Sequence, residues 1–152
     1  MGKDNEKMKL KGRLNATLRK ADGTTRVVER DNLVVDTGID FLAAALAAPS
    51  ARPNVLSHIA VGSGVVAVDA GDIELDTELS RQTATYDHDA GTTSFTLTAT
   101  FDPGEGTGDI TEAGVLNAAS TGTLFNRVVF SAIPKEAGDS LDITFTFTFT
   151  PT

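Results

Sequence analysis

The chain offers two imidazoles, His58 and His88, and neither stands at a spacing that would make a metal-ligand set or a nucleophile with its base. His58 comes just before an apolar run and His88 falls in a turn, so each reads as a polar residue at the end of an element. Ser63, in VGSGV, lacks the first glycine of a nucleophile elbow. The run Gly104-Glu105-Gly106-Thr107-Gly108 suggests a phosphate loop, but no Lys-Ser/Thr follows and the next residues alternate like a strand. Asp69, Asp72, Glu74, Asp76 and Glu78 suggest calcium, yet their order does not match the helix–loop–helix signature. From Asp72 onward they alternate with Ile73, Leu75 and Leu79, as on a solvated strand face. Two carboxylates for glycoside hydrolysis are a spatial matter that sequence leaves open, but one Tyr and no Trp make poor platforms for sugars. The absence of cysteine removes thiolate chemistry, Fe–S clusters and Cys-based zinc sites. The expectation is a non-enzymatic protein with no catalytic residue, metal ligand or cofactor.

The elements that would carry such residues are strands. In LDITFTFTFTPT, Leu141, Ile143, Phe145, Phe147 and Phe149 share one face of a period-two pattern, with Asp142 and threonines on the other. Burying each such apolar side chain is worth about 1.5–3 kcal/mol, so this face must meet a core or a subunit seam. No charge follows Asp142, and an uncharged strand at a sheet edge would recruit other chains, so the strand should be central or deliberately paired. SFTLTATF repeats the alternation and is the expected neighbour. Residues 8–17 and 25–35 flank Lys20-Ala21-Asp22-Gly23 as a hairpin. In DTGIDFLAAALAAPS, Asp36 or Thr37 can cap a helix over about residues 37–48, with Ile39, Phe41, Leu42 and Leu46 on its apolar side. Further short strands with turn signals between them bring the count to seven to nine. The expected fold is mainly β: an antiparallel β-sandwich or jelly-roll-like barrel with one short helix.

At 152 residues, the chain fits a single β domain, 1–152, able to bury a core without metal or disulfide staples. No apolar run is long enough to span a membrane, and MGKDNEKMKLKGR has no apolar signal core, so a soluble protein made in the cytoplasm is expected. The formal charge of −8 is uneven: residues 1–30 hold nine Lys/Arg against four Asp/Glu, the remaining 122 hold four against seventeen. Residues 1–12 read as a basic N-terminal arm beside an acidic body. That body would repel phosphate and the arm has no interleaved aromatic residue, which disfavours nucleic acid. Lys7, Lys9, Lys11, Arg13, Arg19 and Lys20 are the candidate contacts to an acidic neighbour. Arg81 and Arg127 are scarce cations in the acidic body and possible partners of Glu78 or Glu112. For all of these the plainer reading is a surface salt bridge worth about 0–1 kcal/mol.

Several segments together resemble a family. DNLVVDTGIDFLAAALA, LSHIAVGSG, the box Glu78-Leu79-Ser80-Arg81 and GTGDITEAGVLNAASTGTLFNRVVFSAIPKEAGDSLDITFTFT are similar to small structural proteins of tailed-bacteriophage virions, over roughly residues 31–150. The helix leading to IAVGSG and the block from ITEAGVLNA to RVVFSAI also resemble head domains of tail-collar fibres. A fibre head would continue into a shaft, whereas this chain ends at Thr152 after its last strand, so the resemblance favours a capsid decoration, or cement, protein. It implies a virion location, a homo-oligomer, usually a trimer, and the major capsid protein as partner. Two other readings stand beside it: a tail or baseplate adaptor or fibre head, partnered by tail or baseplate proteins, and a cation- or carbohydrate-binding module.

Overall fold

The computed structural model describes residues 7–152. The strands β1 (Met8–Arg19) and β2 (Thr25–Val34) form the expected hairpin, followed by helix α1 (Asp36–Ala47). Then come β3 (His58–Gly62), β4 (Glu78–Thr83), β5 (Thr85–Asp87), β6 (Ser94–Phe101), β7 (Gly108–Leu116), β8 (Leu124–Lys135) and β9 (Ser140–Pro151). The order across the sheet is β4-β3-β7-β8-β2-β1-β9-β6-β5, and every pairing is antiparallel.

This sheet folds over into a nearly closed barrel, and two devices turn its corners. β2 pairs with β1 as far as Asn32 and then with β8 at Leu33 and Val34, so one strand belongs to both halves. At the opposite corner only Ala84 separates β4 from β5, the two ends of the strand order, and its amide donates to Ser57 O at 2.8 Å. The chain thereby crosses from one half to the other where an open sheet would expose two long edges.

β9 lies between β1 and β6, as its uncharged alternation requires. Leu141, Ile143, Phe145 and Phe147 are fully buried with Leu14, Ala16 and Leu18 of β1 and Leu97, Ala99 and Phe101 of β6. Across the barrel they meet Ile59 and Val61 of β3, Ile110 and Val115 of β7, and Phe125 and Phe130 of β8. Phe125 and Phe147 meet edge to face with ring centroids 5.1 Å apart. Phe149, read as part of the same covered face, is only half-buried at the barrel's end.

Four expectations need correction. Met8 to Gly12 do not form an arm: they are the first turns of pleat in β1, paired with β9 from Met8↔Pro151 to Gly12↔Phe147, because that run alternates in phase with the Phe/Thr strand. Residues 1–6 of the expected arm lie outside the described residues. Neither Asp36 nor Thr37 caps α1; Val35 is the N-cap, without a side-chain bond, and Thr37 Oγ1 donates instead to Leu124 O at 2.7 Å. The helix packs through Gly38, Phe41 and Ala45, while Ile39 and Leu46 face out. Gly38 lies so near the Phe125 backbone that a Cβ there would collide with its carbonyl. Finally, the acidic series up to Asp76 is no strand face: residues 63–77 form an irregular loop in which Leu75 is buried and Ile73 exposed, and only Glu78 and Leu79 lie on a strand, at the start of β4.

Candidate functional site

The cations of β1 stand on the outer face of the barrel because odd-numbered residues of that strand point away from the core. The register sets them in rows with the threonines. Lys9 is opposite Thr150, Lys11 opposite Thr148, Arg13 opposite Thr146, and Asn15 opposite Thr144. Across β9, Thr148, Thr146 and Thr144 face Ser94, Thr96 and Thr98 of β6, and Thr98 faces Thr85 of β5. The result is a field of hydroxyls and methyls with a basic strand along one side. Thr98 and Thr144 share a hydrogen bond of 3.1 Å, and Thr100 donates to Asp142 at 2.8 Å.

Most of that basic strand is already neutralised from within. Arg13 bridges Asp31 at 2.9 Å and Glu29 at 3.0 Å, Lys11 lies 3.6 Å from Asp31, and Arg19 donates to Asp142 at 3.2 Å. The hydrogen bonds to Asp31 and Glu29 raise the pKa of Arg13, and the Arg13 guanidinium in turn lowers that of Asp31. These are exposed pairs, screened by water and salt, that contribute little to stability. Lys7, Lys9 and Lys20 make no ion pair among the described residues. Of the six cations singled out in this part of the chain, Lys20 still acts through space on Asp22 and Asp139, whose pKa values its charge helps to lower.

Arg81 and Arg127 are different. Arg81 clasps Glu78 with two bonds of 3.0 and 2.7 Å, and its remaining nitrogen donates to Ala118 O and Thr121 O, both at 2.9 Å. It thereby pins the β7–β8 turn beside an open cleft of about 680 Å³. Arg127 is 1% exposed and Glu112 is fully buried. Their contacts are 2.9 Å from Nε and 2.8 Å from Nη2 to Glu112 Oε2. Arg127 also reaches Asp72 at 3.0 Å and Val66 O at 3.0 Å. Glu112 accepts further bonds from the amides of Gly64, Asp76 and Thr77 at 3.1, 3.0 and 2.7 Å. Burial alone would push the Arg127 pKa down, but its bonds to Glu112 and Asp72 outweigh that and leave it raised. A buried charge cluster with this many partners clamps the loop 63–77 onto β7 and β8. Gly64 must approach closely, since a Cβ there would strike the Glu112 carboxylate.

Sequence reasoning missed Asp72 as the third member of this cluster, and it missed Lys135. Lys135 is 2% exposed and donates to Asp102 O at 3.1 Å, which holds the Gly-rich loop after β6. Burial lowers its pKa, partly offset by Asp139, Glu105 and Asp102. A signal existed: Lys135 lies two residues after the buried Ile133, so the strand period points it inward. Each histidine is engaged locally, His58 Nδ1 with Ser57 Oγ and His88 Nδ1 with Ser94 O, both at 2.8 Å. Among the described residues no group of three or more His, Asp or Glu is placed to hold a metal ion, and no helix is long and apolar enough to cross a membrane.

A separate apolar cleft of about 370 Å³ lies at one end of the barrel, between α1 and the β5–β6 hairpin, with Phe41, Leu56, Tyr86 and Phe95 in its walls. Searched against protein-family models, curated proteins and solved structures, the chain matches none.

Proposed function

We propose that the protein is a structural component of a tailed-phage virion, a capsid decoration protein that binds and stabilises the capsid lattice as a homo-oligomer. The observation that supports this reading most is the outer face formed by β1, β9 and β6. Its hydroxyls stand in register over three strands, its only carboxylate on β9 is Asp142, and it is bordered by Lys7 and Lys9, which make no ion pair among the described residues. Such a face suits docking on another protein by many weak hydrogen bonds, with the lysines steering the encounter. The buried charges support the same reading. Arg127, Glu112 and Lys135 are each engaged in fixing a loop, which suits a rigid body presenting a surface.

The test is co-sedimentation with capsids from the phage or prophage whose genome encodes the chain, stripped of this subunit. Wild-type protein should bind, and a Lys7→Glu/Lys9→Glu variant should bind at least about tenfold more weakly, with a reduced salt dependence. A Thr146→Arg variant places a bulky charge in the hydroxyl field and should abolish binding. Failure to bind capsids, or binding indifferent to all three substitutions, would overturn the reading. Deleting residues 1–12 is not a clean test, because it removes Met8 to Gly12 from β1.

A further inference from the structure

Helix α1 is apolar around most of its circumference. Gly38, Phe41 and Ala45 turn to the barrel, but a second stripe, Ile39, Leu42, Ala43 and Leu46, recurs at i, i+3, i+4 and i+7. Ile39 is 50% exposed and Leu46 is 71% exposed. A surface helix ordinarily sets charged residues opposite its buried face; this one has only Asp36 and Asp40, both near its N-terminus. At its other end Arg52 caps the last turn, donating from Nε to Ala45 O at 3.0 Å and also from Nη2. Asp36, Asp40 and Arg52 form no ion pair among the described residues. Within residues 41–68 Arg52 is the sole formal charge, although the chain as a whole carries −8.

We propose that α1 is a self-association surface, at which two copies of the chain pack α1 against α1 in antiparallel fashion about a two-fold axis. The polarity of the charges selects this occupant. In an antiparallel pair, Asp36 and Asp40 of one copy lie beside Arg52 of the other, twice over, and the helix dipoles oppose one another. A parallel pair, or three helices around a three-fold axis, would gather like carboxylates at one end. Ala43 and Ala47 allow the backbones a close approach, and the low local charge spares this surface the repulsion that two acidic bodies would otherwise feel. A twelve-residue helix is about 18 Å long. A stable pair covers about 800 Å² on each partner, so the contact extends to Val55 and Tyr86, which are 76% and 62% exposed on the cleft flanking Phe41 and Ala45. The pairing holds or fails independently of any role in a virion.

Sedimentation velocity over a concentration series tests it. Wild-type protein should be dimeric, and Leu46→Glu should dissociate at least about tenfold more readily while its circular dichroism spectrum is kept, since Leu46 is 71% exposed in the single chain. Asp40→Arg and Arg52→Asp should each weaken the dimer, and the two combined should restore it. Because the chain has no cysteine, Ala43→Cys supplies a single thiol near the axis. Mild oxidation should link it into a covalent dimer, and Thr100→Cys on the outer face of β6 should stay unlinked. A monomeric wild type, an oligomer indifferent to Leu46→Glu, or charge swaps that fail to rescue one another would each overturn the proposal.

Discussion

The two halves of the barrel are held by different physics. Around β9, flanked by β1 and β6, stability comes from a continuous apolar seam: Leu141, Ile143, Phe145 and Phe147 are fully buried, and the polar partners of these strands face water. Around β7 and β8, the buried residues include Glu112, Asn126, Arg127 and Lys135, all at most 2% exposed, with Glu112 and Arg127 sealed beneath the loop 63–77. The first half gains from area removed from water and is forgiving of direction. The second depends on every charge finding its partners, since a buried ion left alone is costly. A strand can be placed by the first kind of force, but an irregular loop such as residues 63–77 needs the second, because its amides require acceptors that a sheet does not supply.

The sharpest way to probe this contrast is to damage each half once. Phe147→Ala should cost about 3–5 kcal/mol by leaving a cavity, and Glu112→Ala should cost about 3–5 kcal/mol by stranding the Arg127 charge. Urea titration measures both, and hydrogen exchange separates them. The first should weaken protection throughout the seam, and the second should release residues 63–77 first. If the halves differ as described, Glu112→Leu combined with Arg127→Met should regain most of the stability lost in Glu112→Ala, because a well-packed apolar pair can replace a buried ion pair. No comparable double substitution should rescue Phe147→Ala by removing a charge.

Acid should act on a third point, where the β1–β2 turn meets the β8–β9 turn. Asp139 accepts bonds from Glu136 N at 2.9 Å and Ala21 N at 3.0 Å. The amide of Glu136 first, and that of Ala21 after it, hold the Asp139 pKa below the usual carboxylate range against the opposing effect of burial. A lowered folded-state pKa means that this contribution is present above about pH 3.9, the ordinary aspartate value, and is lost as pH falls through the lower folded value. Melting temperature followed against pH should therefore fall less steeply on the acid side for Asp139→Asn than for wild type. The smallest effect belongs to the surface: Arg13→Ala should shift the urea midpoint least of these variants, and less still in high salt, despite two short contacts.

The same contrast explains what the sequence disclosed. The phase of Phe and Thr in β9 and β6 placed both strands and paired them, and Asp22-Gly23 marked the hairpin turn, where Gly23 adopts φ of 88°. Alternation is local, so it survives reading one residue at a time. The start of α1 was also legible to within one residue, but its cap was not, because Thr37 bonds to Leu124, 87 residues away. The pairings of Arg81 with Glu78 and of Arg127 with Glu112 could be named as possibilities because cations are scarce there. That one pair is surface-bound and the other sealed inside could not, since burial of Arg127 depends on a loop laid over it from residues 63–77. The charge excess of residues 1–30 suggested an arm, whereas Glu29, Asp31 and Asp142 meet much of it within the sheet.

Locating the subunit in the parent particle tests the proposed role most directly. A gold or antibody label on an exposed loop, imaged by electron microscopy, should decorate the head at many copies, with the face of β1, β9 and β6 turned to the lattice. A label confined to a few copies on the tail, or absent from the particle, would contradict it.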